Sequence, residues 1–298
     1  MKKILSIVTA LALSMILASG VLAATTKPAT KKAPAKKTAA KKVVKKAPEK
    51  QFIEGSNLMG QTGLLWAETA KTTPKGKVGG AAHLAIHSDE FFTVVQVPVG
   101  VNFGLSKCLE AGATAEFMSV SPDEGDSTSG LGDLTLNGKY QFDTQSDVKV
   151  AAGLDVGIGP LSDDLGESTT DITPKGMVTY TLKSGVVLNG TLGFVITGGY
   201  EYTYTSYAYD PITMSVVSRE VTADVDPDNY IQLGAGVGIP VSPKLSVIGE
   251  LGLNAYGDEG SILGGGIRTG GKMPLQAMLG IGLGDFAPDF VIGGGICF

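Results

Sequence analysis

Polar and apolar side chains alternate along much of the chain from about residue 76 onward. In the stretch 130–142, GLGDLTLNGKYQF, every second side chain from Asp133 onward is polar. A period of two is that of an extended strand with one polar and one apolar face. Twelve such segments, most of them about 9–12 residues long, follow one another, and this is the length that a tilted strand needs to cross a bilayer. They span residues 76–87, 91–104, 108–120, 131–142, 148–158, 172–182, 186–198, 229–239, 244–255, 262–270, 275–284 and 289–298.

The connections between these segments also alternate. Those after even-numbered segments are short, around LSK, DTQSD, KSG, VSPK and GKMP, whereas those after odd-numbered segments tend to be longer and acidic, as in SPDEGDSTSG and PLSDDLGESTTD. Outer-membrane barrels have short periplasmic turns and longer external loops, and a soluble sandwich predicts no such parity. The pattern therefore predicts an all-β protein, a transmembrane antiparallel up-and-down β-barrel of about twelve strands.

In such a barrel the apolar face contacts lipid and the polar face lines the lumen, because the bilayer core offers no water to polar groups. Aromatic girdles are then expected at both rims, with Phe103, Tyr140, Phe142 and Phe298 at the periplasmic rim and Phe117, Phe194, Tyr230 and Phe290 at the other. The candidate lumen-lining residues are Asp133, Thr135, Asn137, Lys139, Gln141, Glu110, Glu116, Lys149, Asp155, Glu250 and Arg268.

Many glycines share the inward side, including Gly234, Gly236, Gly238, Gly280, Gly282, Gly293 and Gly295. Glycine weakens a strand, so a row of them needs a reason. Two interpretations stay open: the glycines leave an open passage along that wall, or they relieve curvature and packing in a narrow barrel. Twelve strands lie between the eight that fill their interior with side chains and the sixteen that enclose a channel.

The N-terminal part of the chain has three segments of different composition. Residues 1–23 have two lysines, an apolar run and small residues before Ala23, which predicts a cleaved secretory signal peptide. Residues 24–50 hold ten lysines against one glutamate, which predicts a disordered periplasmic tether. Since the whole chain carries −5 and residues 1–50 contribute +11, residues 51–298 carry −16. Residues 51–75 form a lead-in to the barrel, which covers 76–298.

The tether serves either as a solvated spacer or as a contact to anionic envelope polymer. Nucleic acid is not expected as a partner, because no nucleic-acid-binding motif is present. The chain ends in PDFVIGGGICF, and a final alternating strand that ends in Phe298 is typical of the signal read by the barrel-insertion machinery of Gram-negative outer membranes. Lipid and lipopolysaccharide are the other expected partners, and the bacterial outer membrane is the expected location.

Three blocks of sequence carry a family resemblance: TAKTTPKGKVGGAAHLAI, VPVGVNFGLSKCLEAGA and SGLGDLTLNGKYQF. In this order they resemble the outer-membrane proteins associated with the MetA pathway of phenol degradation, and GLLWAETAKTTPKG is similar to the opening of several other bacterial barrels. The resemblance covers about residues 63–142. It implies an outer-membrane barrel that passes small or hydrophobic molecules, and it carries over no catalytic residue.

The residues give little support to catalysis. The two histidines, His83 and His87, lie on the inward side of the first strand, and no nucleophile motif accompanies them. Four residues along a strand separate them by about 13 Å, too far to share one metal ion. Cys108 and Cys297 both lie at the periplasmic end, but two intervening strands place them about 14 Å apart, beyond the reach of a disulfide unless the chain ends fold across the lumen.

The external loops suggest a weak cation site. Asp224, Asp226 and Asp228 alternate in DVDPDN, and carboxylate oxygens suit Ca²⁺ or Mg²⁺, although the glycine and distal glutamate of a calcium loop are missing. Repulsion that keeps the loop solvated is the other interpretation. No further cofactor is expected.

The stretch YEYTYTSYAYD, residues 200–210, predicts that the seventh and eighth strands continue as an external hairpin with its tip near 209–214. Tyr200, Tyr202 and Tyr204 share one face, where they either contact an aromatic solute or pack across the hairpin.

Three functional hypotheses follow. The first is a passive channel or transport pore for small molecules, hydrophobic or aromatic ones among them. The second is a structural or surface-interaction barrel with a plugged lumen. The third, an outer-membrane enzyme, has the least support.

Overall fold

The structure is a computed structural model that describes residues 51–57, 61–144, 146–165, 169–210, 215–225, 229–255, 260–284 and 287–298. For residues 163, 200–210, 215–225 and 255 it describes the backbone alone. The predicted signal peptide and tether lie outside the described residues. No helix in the described part of the chain is long and apolar enough to span a membrane.

Sixteen strands and one short 3₁₀-helix, Asp163–Leu165, are formed by the described residues. The strands are β1 Gly55–Ser56, β2 Thr62–Gly63, β3 Val78–Ser88, β4 Phe92–Gly104, β5 Leu109–Pro122, β6 Thr128–Phe142, β7 Val148–Gly159, β8 Thr169–Thr181, β9 Val187–Val195, β10 Tyr200–Asp210, β11 Ser215–Val225, β12 Tyr230–Ser242, β13 Leu245–Ala255, β14 Ser261–Thr269, β15 Leu275–Leu283 and β16 Phe290–Cys297.

Twelve of these strands form a closed antiparallel barrel. Strands β3 to β9 pair in sequence order, β9 pairs with β12, and β12 to β16 continue the ring. It closes between β16 and β3, where Phe290 lies opposite Ser88 and Cys297 lies opposite Ala81. Every strand of the ring therefore has two partners, which is how a sheet satisfies its backbone groups inside a bilayer. The predicted twelve-stranded barrel is confirmed.

The bounds of the twelve predicted strands differ from those of the barrel strands by no more than about three residues at each end. A β-bulge interrupts the ladder between β5 and β6, where the register shifts between Ala115 and Phe117. One extra residue of β6, at Gly132–Asp133, stands opposite Glu116, so the alternation of faces changes there. Leu131 on one side of the bulge and Leu136 on the other both face outward.

Large apolar side chains cover the outside of the barrel, and these are the surface expected against lipid. Leu136 on β6, Leu192 on β9 and Leu279 on β15 are at least half exposed. Seven of the eight aromatic residues predicted for the rims are exposed as well: Phe103, Tyr140, Phe142 and Phe298 at one end, and Phe117, Phe194 and Phe290 at the other. The eighth, Tyr230, is partly buried.

The two ends of the barrel differ in their connections. We call the end where β3 begins and β16 ends the near end, and the opposite one the far end. Near-end turns span two to five residues, whereas the far end has loops of up to nine residues and the long connection between β9 and β12. This is the parity that the sequence predicts.

The long far-end connection contains the predicted hairpin. Strands β10 and β11 pair antiparallel from Tyr200↔Val225 to Asp210↔Ser215. They form a two-stranded sheet of their own and do not continue the β9–β12 ladder, so the prediction of a continuous extension is wrong in this respect. The ladder between β9 and β12 ends at the pair Tyr230↔Val195, and the ladder of the hairpin begins only at Tyr200. The predicted tip, near 209–214, lies largely outside the described residues.

Candidate functional site

The lead-in segment, residues 51–75, lies inside the barrel, and we call it the plug segment. Its described residues bond to inward side chains of ten different strands around the ring, β4 to β9 and β13 to β16. A segment that contacts strands on all sides of a ring can only lie within it. The sequence placed this segment before the barrel and did not predict where it would lie.

The path of the plug segment is a loop that enters and leaves at the near end. Ile53 bonds to Ser246, at the start of β13 beside a near-end turn. Leu65 reaches Glu250, at mid-height of β13, and Thr73 returns to Asn102 near the end of β4. The apex of the loop is therefore residues 64–68, about half-way along the barrel.

Glu250 holds the apex. Its carboxylate accepts hydrogen bonds from three successive backbone N–H groups, those of Leu65 at 2.9 Å and of Trp66 and Ala67 at 3.0 Å. The turn is closed by a bond from the Leu64 N–H to the Ala67 carbonyl oxygen at 2.8 Å. Three converging N–H groups make a small anion-binding concavity, which suits the carboxylate of Glu250.

Arg268 on β14 holds the opposite set of backbone groups. Its guanidinium donates to four carbonyl oxygens of the plug segment, those of Ile53, Ser56, Gly63 and Leu64. It also donates to the side chain of Gln276 at 2.9 Å, and it lies 5.9 Å from the centre of the Phe52 ring. Arg268 is completely buried. The planar, five-donor guanidinium suits this many fixed acceptors.

A third anchor is the ion pair of Glu110 and Lys139, on neighbouring strands, with 3.3 Å between nitrogen and oxygen. Glu110 accepts from the Thr62 hydroxyl at 2.7 Å and from the Thr73 backbone N–H. Lys139 donates to the carbonyl oxygens of Thr62 and Thr69, both at 3.2 Å. Each charge is thus paired with the other and with the plug backbone.

A fourth anchor joins the plug segment to the wall through charge. Lys175 on β8 pairs with Glu68 of the plug segment and with Asp155 of β7. Gln61 adds a hydrogen bond to Asp155 at 3.2 Å. Lys175 and Glu68 are both buried, so this pair is little screened by solvent.

The apolar residues of the apex pack into the wall where the wall has glycines. Leu64 and Leu65 are completely buried, together with Ile248 and Met278. A methyl group added to Gly236 would lie 2.4 Å from Leu64, and one added to Gly264 would lie 2.5 Å from the Trp66 ring. A methyl group added to Gly238 would lie 2.3 Å from the Phe52 ring. Gly236, Gly238 and Gly264 therefore make room for the plug segment, a role that neither interpretation from the sequence included. Methyl groups added to Gly293 and Gly295 would instead meet other residues of the wall.

Five of the predicted lumen residues converge on the plug segment: Glu110, Lys139, Asp155, Glu250 and Arg268. The other six have no bond to it among the described residues: Asp133, Thr135, Asn137, Gln141, Glu116 and Lys149. They line the wall of β5 to β7 without joining this cluster. Lys175, Thr179 and Asn189 bond to the plug segment but were not singled out from the sequence.

The histidines and cysteines remain wall residues. The His83 ring pairs with the Gln276 side chain, which also donates to the Ser56 carbonyl oxygen. Cys108 and Cys297 are both free, and Cys297 lies 3.7 Å from that same carbonyl oxygen.

Two further site predictions fall on parts of the chain that are described incompletely. The side chains of Tyr200, Tyr202 and Tyr204 are not among those described, although their backbone pairs with β11. Asp226 and Asp228 lie outside the described residues, and so does the side chain of Asp224. Among the described residues no group of three or more acidic, histidine or cysteine side chains is arranged to hold a metal ion. Both sites therefore stay predictions.

A family model described as "Putative MetA-pathway of phenol degradation" matches residues 93–296, more than half of the chain. The chain belongs to this family. The resemblance seen in the sequence ended at about residue 142, and the family match extends it through the rest of the barrel. No curated protein matches the chain significantly.

Several solved structures are similar to this family member, and the first of them shares its fold. An outer membrane channel from Pseudomonas putida F1 is 16% identical, and the alignment covers 76% of this chain and 97% of that one with a TM-score of 0.55. The NanC porin is 8% identical over 74% of this chain and 99% of that one, with a TM-score of 0.48. The toluene transporter TbuX of Ralstonia pickettii is 11% identical over 69% and 67%, with a TM-score of 0.41. At such identities the likeness concerns the fold alone.

Proposed function

We propose that this protein is a passive outer-membrane channel for small molecules, uncharged and apolar ones among them, and that it has no catalytic role. The observation that carries the proposal is the combination of a closed, lipid-facing barrel with a polar interior whose contents are held by hydrogen bonds and ion pairs. Family membership and the fold shared with an outer membrane channel support it.

The plug segment regulates passage in this proposal. Its apex occupies mid-height of the lumen, so a solute passes only beside it or after it has shifted. Most of its anchors are polar contacts, and water can replace such contacts when the segment moves. A covalent link or a continuous strand pairing with the wall would not permit this exchange. Within the described residues, β1 and β2 form a separate two-stranded sheet, and neither has backbone pairing with a strand of the barrel.

The orientation belongs to the same proposal. The near end, with its short turns, faces the periplasm, and the far end, with the β10–β11 hairpin, faces outward, as in other outer-membrane barrels. Residues 1–23 act as a cleaved signal peptide, and residues 24–50 form a basic tether in the periplasm. The last residue, Phe298, is the insertion signal.

Single-channel recording of the purified mature protein in a planar bilayer tests the proposal. We expect discrete conductance steps, which persist when residues 24–50 are removed. A matched preparation of heat-unfolded protein is the control for leakage caused by detergent. A folded barrel that is silent in the bilayer and admits no uncharged solute into liposomes would refute the channel and leave the structural barrel.

A further inference from the structure

A cavity of about 180 Å³ lies between the apex of the plug segment and the far end of the barrel. Trp66, Ala67 and Glu68 contribute to it from the plug side, and the far-end halves of β12, β13 and β14 contribute from the wall. The plug segment is thus a part of this cavity, and the cavity exists only while the apex is in place.

The size of the cavity suits one small ring. An engineered protein cavity of about 150 Å³ with an apolar lining accommodates benzene. The space above Trp66 is of that order, and glycines such as Gly252 keep the wall free of side chains. A methyl group added to Gly252 would have no heavy atom closer than 3.9 Å. The six-membered edge of the Trp66 ring packs on Gly264, which fixes the ring in the floor.

The charges around the cavity are already matched within the protein. Lys175 pairs with Glu68 and Asp155, and Glu250 accepts three backbone N–H groups. The lining itself holds two carboxylates and one ammonium group, an excess of negative charge that disfavours an anion. An uncharged occupant needs no counter-charge and leaves these pairs intact.

We propose that this cavity is a binding site for a single uncharged, ring-sized, predominantly apolar molecule that rests on Trp66. The proposal deepens the proposed function, since it places a specific solute site on the outer side of the plug segment. Gln232 and Asn254 in the lining offer amide groups to a polar substituent of such a molecule. Burial of the ring against tryptophan and Ile262 supplies the affinity.

The sequence provides a reporter for this site. Trp66 is the sole tryptophan of the chain, so tryptophan fluorescence reports on the cavity floor alone. Bromobenzene is an uncharged ring whose bromine quenches tryptophan on contact, and 4-bromobenzoate is its anionic counterpart. The experiment titrates each probe into the full mature protein in detergent micelles and separates saturable quenching from the linear part caused by partitioning into the micelle.

The matched variants are Gly252→Leu, which fills the cavity, and Gly176→Leu, which adds the same side chain on the lipid side of β8. A methyl group at Gly176 would have no heavy atom within 4 Å, so both positions have room at the backbone. Gly252→Val serves if the leucine variant loses the heat-modifiable migration of a folded barrel. We expect saturable quenching by bromobenzene in the wild type and in Gly176→Leu, and a Kd raised about tenfold or more in Gly252→Leu.

Three results would overturn the proposal: linear quenching in the wild type, equal Kd values in both leucine variants, or saturable quenching by 4-bromobenzoate as strong as by bromobenzene. The bilayer recording separates this outcome from failure of the channel. Conductance without saturable quenching refutes the site and leaves the channel. Saturable quenching that only Gly252→Leu weakens, in a protein with neither conductance nor uptake of uncharged solutes into liposomes, supports the site and refutes the channel.

Discussion

The carboxylate of Glu250 offers the sharpest test of how the plug segment is held. We consider Glu250→Gln, which keeps the size of the side chain and removes one acceptor oxygen and the charge. In the wild type one oxygen accepts from Leu65 and Trp66, and the other accepts from Ala67. The amide group of glutamine can match the first pair, but its NH₂ then faces the N–H of Ala67, and that bond is lost.

The size of the effect follows from typical hydrogen-bond energies. Bonds to a charged group contribute about 1.5–3 kcal/mol and neutral ones about 0.5–1.5 kcal/mol, and a buried donor left without a partner costs about 1–3 kcal/mol. The glutamine also avoids the cost of burying a charge, which offsets part of the loss. We therefore expect the apex to be held about 2–3 kcal/mol less tightly, which raises the displaced population roughly 30- to 150-fold.

Hydrogen exchange of the peptide around residues 61–70, with the protein in micelles, measures this population directly, because these amides exchange when the segment leaves its site. Protection in Glu250→Gln should fall by the same factor. Glu116→Gln is the matched control, since Glu116 also faces inward but has no bond to the plug segment among the described residues. The reasoning is refuted if protection in Glu250→Gln stays within about threefold of the wild type, or if Glu116→Gln lowers it equally.

Three further predictions concern the other anchors, the glycine wall and the orientation. Arg268→Lys should weaken the binding of residues 53–64 of the plug segment by roughly 2–4 kcal/mol, because an ammonium group cannot reach four separate carbonyl oxygens, and faster proteolysis of these residues in micelles would show it. Gly236→Ala should weaken the docking of the apex by about 1–3 kcal/mol, and Leu64→Ala in the same chain should recover part of the loss, which a double-mutant cycle on tryptophan emission measures. In a cysteine-free background, a cysteine at Ser127 should react with an impermeant reagent on intact cells and one at Ser146 should not; equal labelling would contradict the proposed orientation.

The barrel could be predicted from the sequence because its cause lies in the side chains themselves. Lipid on one side and the lumen on the other select residues by polarity at every second position, as Leu134 and Thr135 illustrate. The start of β6 was misplaced by three residues because the bulge at Gly132–Asp133 interrupts this alternation. Glu110, Lys139, Glu250 and Arg268 were recognised as inward for the same reason, each from its position in a strand.

The partner of those charges could not be predicted, and the reason is chemical. Arg268 and Glu250 bind backbone carbonyl and N–H groups of the plug segment. Nearly every residue type carries these groups, so the side chains of the plug segment do not indicate the contact. The apolar pair Leu64–Leu65, in a stretch without strand alternation, was one signal. The inward glycines were the other, since Gly236, Gly238 and Gly264 lie on the wall that bulky side chains must meet.

The balance of the anchors explains how a filled lumen is compatible with a channel. When the plug segment is absent, water enters the lumen and hydrates Glu110, Lys139, Glu250 and Arg268, so docking exchanges bonds to water for bonds to the backbone. The net gain from each such exchange is about 1.5–3 kcal/mol for a bond to a charged group, well below the gross strength of the bond, because water replaces the lost partner. The apolar contribution comes from a few side chains at the apex, chiefly Leu64 and Leu65. Docking is therefore specific in position and depends chiefly on contacts that water can replace, which is what a displaceable segment requires and what a rigid apolar core of the same volume would not provide.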